Sequence, residues 1–279
     1  MRRTIKNRFS TTSIGAASRT TRAIGHLRSA KRLTKKLSGQ EPPIHTDLEV
    51  SRSWQAKLVH ILGTQILVRG EVPDGAALLA INHVSWIDPV IVGTMMPVRF
   101  VAKAQSQRWP VIGSLLSAIG TVFIVRGGPK TGEVVKQMAD TLKAGVAVGF
   151  FPEATTTHGR RVGYMFPRLF KAALDNDIPI VPVSIRYSRS ARGRDSAPYI
   201  DDMKFLPHII GMLRDPPVTV ELEFLPAVSG AGRDDIANQV RNSILRSLSL
   251  SESTCQKRDP LIDFKQLWYD LRFRLADGK

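Results

Sequence analysis

Between residues 77 and 224 the chain alternates short apolar runs with longer stretches of helical periodicity, and this alternation leaves room for few folds. Ala77 to Ile81, Val98 to Ala102, Val122 to Val125, Val146 to Phe151 and Ile180 to Ile185 are apolar runs bounded by turns. Each reads as a strand. Val90 to Met96, Ile112 to Ile119, Thr131 to Ala144 and Arg168 to Asn176 lie between them and read as helices. The pattern predicts an α/β domain whose central sheet is mostly parallel or mixed and is flanked by helices. Val218, Val220, Leu222 and Phe224 alternate with polar residues, which predicts a half-exposed last strand.

The ends read differently. Trp54, Leu58, Val59, Ile61, Leu62, Ile66 and Leu67 fall near helical spacing, giving an N-terminal amphipathic helix that packs on the domain or dips into lipid. Ile236, Val240, Ile244 and Leu248 share a helical face, and so do Phe264, Trp268, Leu271 and Leu275. Glu41-Pro42-Pro43 discourages helix and marks a boundary. The expected organisation is a basic flexible leader over 1–46, an α/β domain over 47–232 and a C-terminal helical extension over 233–279.

Charge is concentrated in that leader. The net charge is +16, and residues 1–40 hold eleven Lys and Arg with no acidic residue. Such a leader suits an anionic membrane surface, nucleic acid, organelle targeting or plain disorder, and membrane is the reading preferred. No run behind the basic start is apolar enough for a secretory signal, and none reaches the ~18 residues of a spanning helix. Any membrane attachment is therefore expected to be peripheral or monotopic. The single cysteine, Cys255, excludes an internal disulfide framework and a zinc cluster built on several thiolates.

Chemistry concentrates in Asn82-His83-Val84-Ser85-Trp86-Ile87-Asp88. His83 directly follows a strand, at the end of a sheet where α/β proteins place their sites. If the next residues turn back, Asp88 can accept the Nδ1 proton of His83, leaving Nε2 to take a proton from a hydroxyl. That hydroxyl could belong to a substrate or to Ser85, but no Gly-x-Ser-x-Gly elbow is present, so direct attack by a substrate hydroxyl is the simpler proposal. A hydrogen-bonded structural histidine would give the same His-x4-Asp spacing.

Three further segments follow in order: Gly120-Thr121-Val122-Phe123-Ile124-Val125-Arg126, Phe151-Pro152-Glu153-Ala154-Thr155-Thr156 and Ile180-Val181-Pro182-Val183-Ser184-Ile185. With the first, they resemble the four blocks of the glycerolipid acyltransferases typified by bacterial 1-acylglycerol-3-phosphate acyltransferase: Asn-His-x4-Asp, Gly-x-x-Phe-Ile-x-Arg, Phe-Pro-Glu-Gly-Thr and Val-Pro-Val-x-Ile. Phe100-Val101-Ala102-Lys103 and Arg108-Trp109-Pro110 are similar to the family's connecting segment. The resemblance spans roughly residues 54 to 228.

It implies that His83 deprotonates a lysolipid hydroxyl, which attacks the thioester of acyl-CoA or acyl carrier protein, with Asp88 orienting the base. It also implies acceptor contacts at Arg126, Glu153, Thr155 and Thr156, with Lys103 as a further candidate. Arg160 and Arg161 could add anion contacts, and His158 reads as a bystander. No cofactor or metal is expected, and no nucleic-acid partner.

Two departures matter. Ala154 stands where the family has Gly, so a turn needing positive φ would have to be built differently. Thr156 stands where Arg is frequent, removing a potential phosphate contact. The acceptor expected from the resemblance is 1-acylglycerol-3-phosphate, with a lyso-ornithine lipid as the alternative. The expected place of work is the cytoplasmic face of a bacterial inner membrane. Rival readings are a hydrolase using Ser85 and a basic protein that binds membrane or nucleic acid without catalysis.

Overall fold

The computed structural model describes residues 15–37, 46–108, 113, 116–117, 120–125, 131–189, 193 and 195–248. Arg126, Cys255, the helical pattern from Phe264 to Leu275 and most of the segment from Ile112 to Ile119 lie outside them.

Seven strands form one sheet: β1 (Gln65–Arg69), β2 (Leu78–Ile81), β3 (Val98–Lys103), β4 (Val122–Ile124), β5 (Ala147–Phe150), β6 (Ile180–Tyr187) and β7 (Thr219–Phe224). Their spatial order is β1-β7-β6-β2-β5-β3-β4, and only the β6–β7 pair is antiparallel. The five expected buried runs are β2 to β6, and the alternating run is β7. Along β7 buried and half-buried residues alternate as its sequence requires.

Side chains leave a strand on alternate faces, so each face collects its own core. Leu79, Ile81, Val183, Ile185, Val220 and Leu222 meet the helices α2 (Thr46–Leu62), α3 (Asp88–Gly93) and α6 (Phe205–Arg214). Leu78, Ala80, Val148, Phe150 and Ile180 meet α4 (Thr131–Lys143), α5 (Lys171–Leu174) and α7 (Arg233–Ser247). Ile236, Val240 and Ile244 of α7 are fully buried. Residues 233–247 therefore complete the sheet's second layer and are not an extension beyond it.

Several local expectations are corrected. Ile66 and Leu67 lie in β1, not in the preceding helix. α2 stops at Leu62 in a Schellman cap, where Gly63 at φ +74° donates to His60 O and Thr64 N donates to Val59 O. The Arg168 to Asn176 pattern is a 3-10 turn, Pro167–Phe170, running into the single turn of α5. Helix α6 has no counterpart in the sequence reading. Pro207 falls in its first turn, where a missing N–H costs no intrahelical bond.

The largest correction concerns the leader. Ala16–Leu37 forms a helix, α1, packed on α2 and α6. Its buried side chains among those described, Arg19, Ala23, His26 and Ala30, are spaced every three or four residues and are small or polar. Hydrogen bonds help to hold them. Arg19 donates to Leu62 O and Asp215 O. His26 stacks on Trp54 and bonds Trp54 O, while Trp54 Nε1 donates to Ser29 Oγ. Arg22, Arg28, Arg32 and Lys35 are exposed. Among the described residues no helix is long and apolar enough to cross a membrane.

Candidate active site

Parallel neighbours deliver the site. In the order β5-β2-β6 all three strands run the same way, so the residues following Phe150, Ile81 and Ile185 emerge at one edge of the sheet. These are Phe151 to Glu153, Asn82 to His83, and the end of β6 at Tyr187.

Asn82 continues β2 by one rung with its side chain. Its Nδ2 donates to Ile185 O at 3.0 Å and its Oδ1 accepts Ile185 N at 2.8 Å, both buried. A side-chain amide has the donor and acceptor of a peptide, so it pairs with β6 where the backbone of β2 has already turned away.

The chain then folds back as expected. Asp88 N donates to Ser85 O, α3 starts at Asp88-Pro89, and His83 Nδ1 lies 2.8 Å from Asp88 Oδ2. The same oxygen accepts Val84 N at 2.7 Å and Ser85 N at 2.9 Å. The second oxygen, Oδ1, accepts the Tyr187 hydroxyl at 2.6 Å. Asp88 is wholly buried, and four donors with no acceptor are what an ionised carboxylate in such a place needs. Burial first, and then the Asp88 charge, push the Tyr187 phenol well above its ordinary pKa, so it remains a donor.

With Nδ1 engaged, the imidazole presents Nε2. The His83 side chain is 19% exposed, and Nε2 meets no hydrogen-bond partner among the described residues. The ring lies on Phe151, centroids 3.9 Å apart, and Phe151 lies on Phe100 in turn. Gly149 permits this stack, because a Cβ there would come within 2.5 Å of the Phe100 ring. The imidazole is thus fixed in plane, tautomer and direction.

Glu153 braces the turn from below. Oε1 accepts His83 N at 2.9 Å and Oε2 accepts Gly163 N at 2.7 Å, so both oxygens are committed to backbone. Burial raises its pKa from 4.5 to about 7 against the opposing pull of those two N–H groups, with the Asp88 charge adding to the rise. Thr157 N donates to His83 O, which ties the same loop to the end of β2 a second time.

Ala154 adopts φ +60°. The expectation that this turn avoids positive φ is therefore overturned. Neighbouring bonds hold the residue there: Ala154 N donates to Phe151 O, and the residue before it is fixed at both carboxylate oxygens.

The remaining candidates are spread out. Thr155 is exposed, and the Thr156 hydroxyl donates to Tyr199 O. Lys103 is exposed at the end of β3, on the same edge of the sheet. Arg160 pairs with Asp195 at 2.6 Å, and Arg161 and His158 are exposed. Ser85, the nucleophile of the hydrolase reading, has a buried Oγ with no hydrogen-bond partner among the described residues, His83 included, so His83 does not activate it in this arrangement. Among the described residues no group of His, Cys, Asp and Glu could hold a metal.

Two contributors were missed from sequence. Tyr187 stands just beyond the fourth block, 99 residues from Asp88, and nothing in its local pattern marks it. Trp86 Nε1 donates to His208 Nδ1 at 3.0 Å, and His208 Nε2 bonds Pro198 O, linking the His83–Asp88 turn to α6. An indole is only a donor, so His208 holds its proton on Nε2. Burial lowers its pKa and keeps it neutral.

A family model described as Acyltransferase matches residues 65–186. The lyso-ornithine lipid O-acyltransferase of Pseudomonas aeruginosa is 32% identical over 75% of this chain and 82% of its own length. A 1-acyl-sn-glycerol-3-phosphate acyltransferase of Neisseria gonorrhoeae is also 32% identical, over 59% of this chain and 65% of its own. The crystal structure of the 1-acyl-sn-glycerophosphate acyltransferase of Thermotoga maritima superposes with a TM-score of 0.58 at 16% identity, covering 83% of this chain and 96% of that one, which is a likeness of fold. The ordered blocks, the sheet and these relatives agree: the chain is an enzyme of the acyltransferase family that includes the lyso-ornithine lipid and 1-acylglycerol-3-phosphate acyltransferases.

Proposed function

We propose that this acyltransferase esterifies the free hydroxyl of a lysolipid with a fatty acyl group from an acyl thioester, acyl carrier protein or acyl-CoA, using His83 as general base and Asp88 to orient it. The observation that carries the reading is the 2.8 Å contact of His83 Nδ1 with buried Asp88, which leaves Nε2 unpartnered at the sheet edge. The acceptor hydroxyl gives its proton to Nε2 as its oxygen attacks the thioester carbon. As the tetrahedral adduct collapses, the C–S bond breaks and the imidazolium returns the proton to the departing thiolate. The ester, the free thiol and neutral His83 remain, and this balance calls for no metal or redox cofactor.

For the acceptor we favour a lyso-ornithine lipid over 1-acylglycerol-3-phosphate. Thr156 stands where an arginine would offer a bidentate phosphate contact, and its hydroxyl donates to the Tyr199 carbonyl. At the same 32% identity, the lyso-ornithine lipid acyltransferase matches over 75% of this chain and the 1-acylglycerol-3-phosphate enzyme over 59%, which supports the same choice. The enzyme works at a bilayer surface, the cytoplasmic face of a bacterial inner membrane, with the exposed basic residues of α1 against anionic headgroups.

The test is to supply labelled acyl carrier protein or acyl-CoA with lyso-ornithine lipid or with 1-acylglycerol-3-phosphate, and to follow the label. Label in diacyl ornithine lipid is the expected result. Label in phosphatidic acid alone would reverse the acceptor assignment, and label only in free fatty acid would make the protein a hydrolase.

A further inference from the structure

We infer that Tyr187 is a positioning residue of the reaction, which sets the rotation and charge of Asp88 and through it the base His83; this rests on the mechanism proposed above. The two oxygens of Asp88 carry unequal loads. Oδ2 takes three donors, two of them backbone N–H groups that only anchor the turn and the third the imidazole. Among the described residues Oδ1 takes one donor, the Tyr187 hydroxyl at 2.6 Å. A partial rotation of the carboxylate about its Cβ–Cγ bond would carry Oδ2 away from His83 Nδ1 and spoil the geometry. The Tyr187 hydroxyl blocks that rotation.

The phenol is itself well placed for the task. Tyr187 ends β6, and its ring packs against the buried cluster that contains Ile87 and Ile185. β6 is also the strand clamped to the catalytic turn by Asn82. One strand therefore fixes both ends of the Asn82 to Asp88 segment, the first through a side-chain amide and the last through a phenol. The ionisable groups facing Asp88 are His83 and Tyr187 by hydrogen bond and Glu153 through its charge.

Without the phenol, the buried carboxylate has one donor fewer, and the His83–Asp88 pair takes up a proton more readily. The active, unprotonated pair is then lost at a higher pH. Tyr187→Phe keeps the ring and its packing. It is expected to lower kcat by about tenfold with KM for donor and acceptor little changed, and to move the acid limb of kcat/KM upward by about one pH unit, the scale of one hydrogen bond to a charged group. A more acidic fluorotyrosine at position 187 strengthens the donor and should move that limb downward, which gives a second reading should the Phe variant fail to fold.

A folded Tyr187→Phe enzyme with unaltered kcat and an unaltered acid limb would overturn the inference, as would a fluorotyrosine protein whose profile stays in place. His83→Ala run beside it separates the two levels. If His83→Ala retains normal turnover, the mechanism fails; if it is inactive while Tyr187→Phe behaves as wild type, only the role of Tyr187 fails.

Discussion

At the scale of single residues the site is organised around one buried charge. Asp88 lies wholly inside the protein with four donors, so its exchange for a neutral amide changes more than electrostatics. In Asp88→Asn the amide NH2 must face donors, and the His83 tautomer is no longer imposed; kcat is expected to fall by about 10²- to 10⁴-fold. Steady-state kinetics on the folded variant measure this, and a loss below tenfold contradicts the orienting role. Ala154 at φ +60° makes the opposite kind of prediction. The left-handed conformation costs an L-residue roughly 1–2 kcal/mol, while glycine loses about 0.5–1 kcal/mol through the freedom of its unfolded chain. Ala154→Gly should therefore stabilise by about 0.5 kcal/mol in urea unfolding, and a destabilisation beyond about 1 kcal/mol would show that the methyl group has a packing role. Glu153 ties stability to pH. Its pKa is raised to about 7 in the fold from 4.5, so the native state holds that proton more tightly than the unfolded chain. The stabilisation is complete below about pH 4.5 and is lost as pH rises through about 7, a change of order 3 kcal/mol. The difference in unfolding free energy between wild type and Glu153→Gln should shift by that order across the interval, and a pH-independent difference would refute the assignment.

At the scale of elements, the placement of His83, the proposed base, depends on strand ends being locked together. Asn82 bridges β2 to β6 with two buried hydrogen bonds. Asn82→Ala leaves the N–H and C=O of Ile185 without those partners and is expected to cost about 3 kcal/mol in denaturant unfolding, together with activity; a loss under about 1 kcal/mol would mean that the two strands need no such bridge. The sequence made β2 to β6 legible because both faces of the sheet are covered there and apolar runs of strand length leave little else for such residues to do. It made β7 legible through alternation, since its residues are buried and half-buried in turn. His83 and Asp88 were legible for a local reason, since they lie five positions apart and a single turn joins them. Tyr187 was not, because its partner lies 99 residues away and pairing of β6 beside β2 is a property of the whole sheet. Glu153 was found, but its partners were not foreseen. Its oxygens hold the backbone of His83 and Gly163, a tertiary arrangement that a Phe-Pro-Glu turn alone does not specify. Helix α1 escaped for another reason: its buried side chains among the described residues are Arg19, Ala23, His26 and Ala30, and a search for large apolar residues passes over small side chains and hydrogen bonds.

At the scale of the molecule, the two helical layers have different relations to the reaction. The layer of α4, α5 and α7 closes the second core, whereas the layer of α2, α3 and α6 reaches the His83–Asp88 turn through His208 and Trp86, and α1, packed on it, carries exposed cations. Because α1 is packed through Arg19 and His26, deleting it would damage the fold and could not isolate electrostatics. Charge removal is the cleaner probe. Replacing Arg22, Arg28, Arg32 and Lys35 by Gln should weaken sedimentation with anionic vesicles by about 1 kcal/mol for each residue near the headgroups, and wild-type binding should itself decline with salt. Binding that ignores both changes would exclude α1 as the electrostatic contact. The central claim, however, rests on one nitrogen. Acyl transfer by purified, folded His83→Ala, measured with acyl thioester and lysolipid at saturating concentrations, should fall at least about a hundredfold below wild type. Turnover close to wild type would contradict the account.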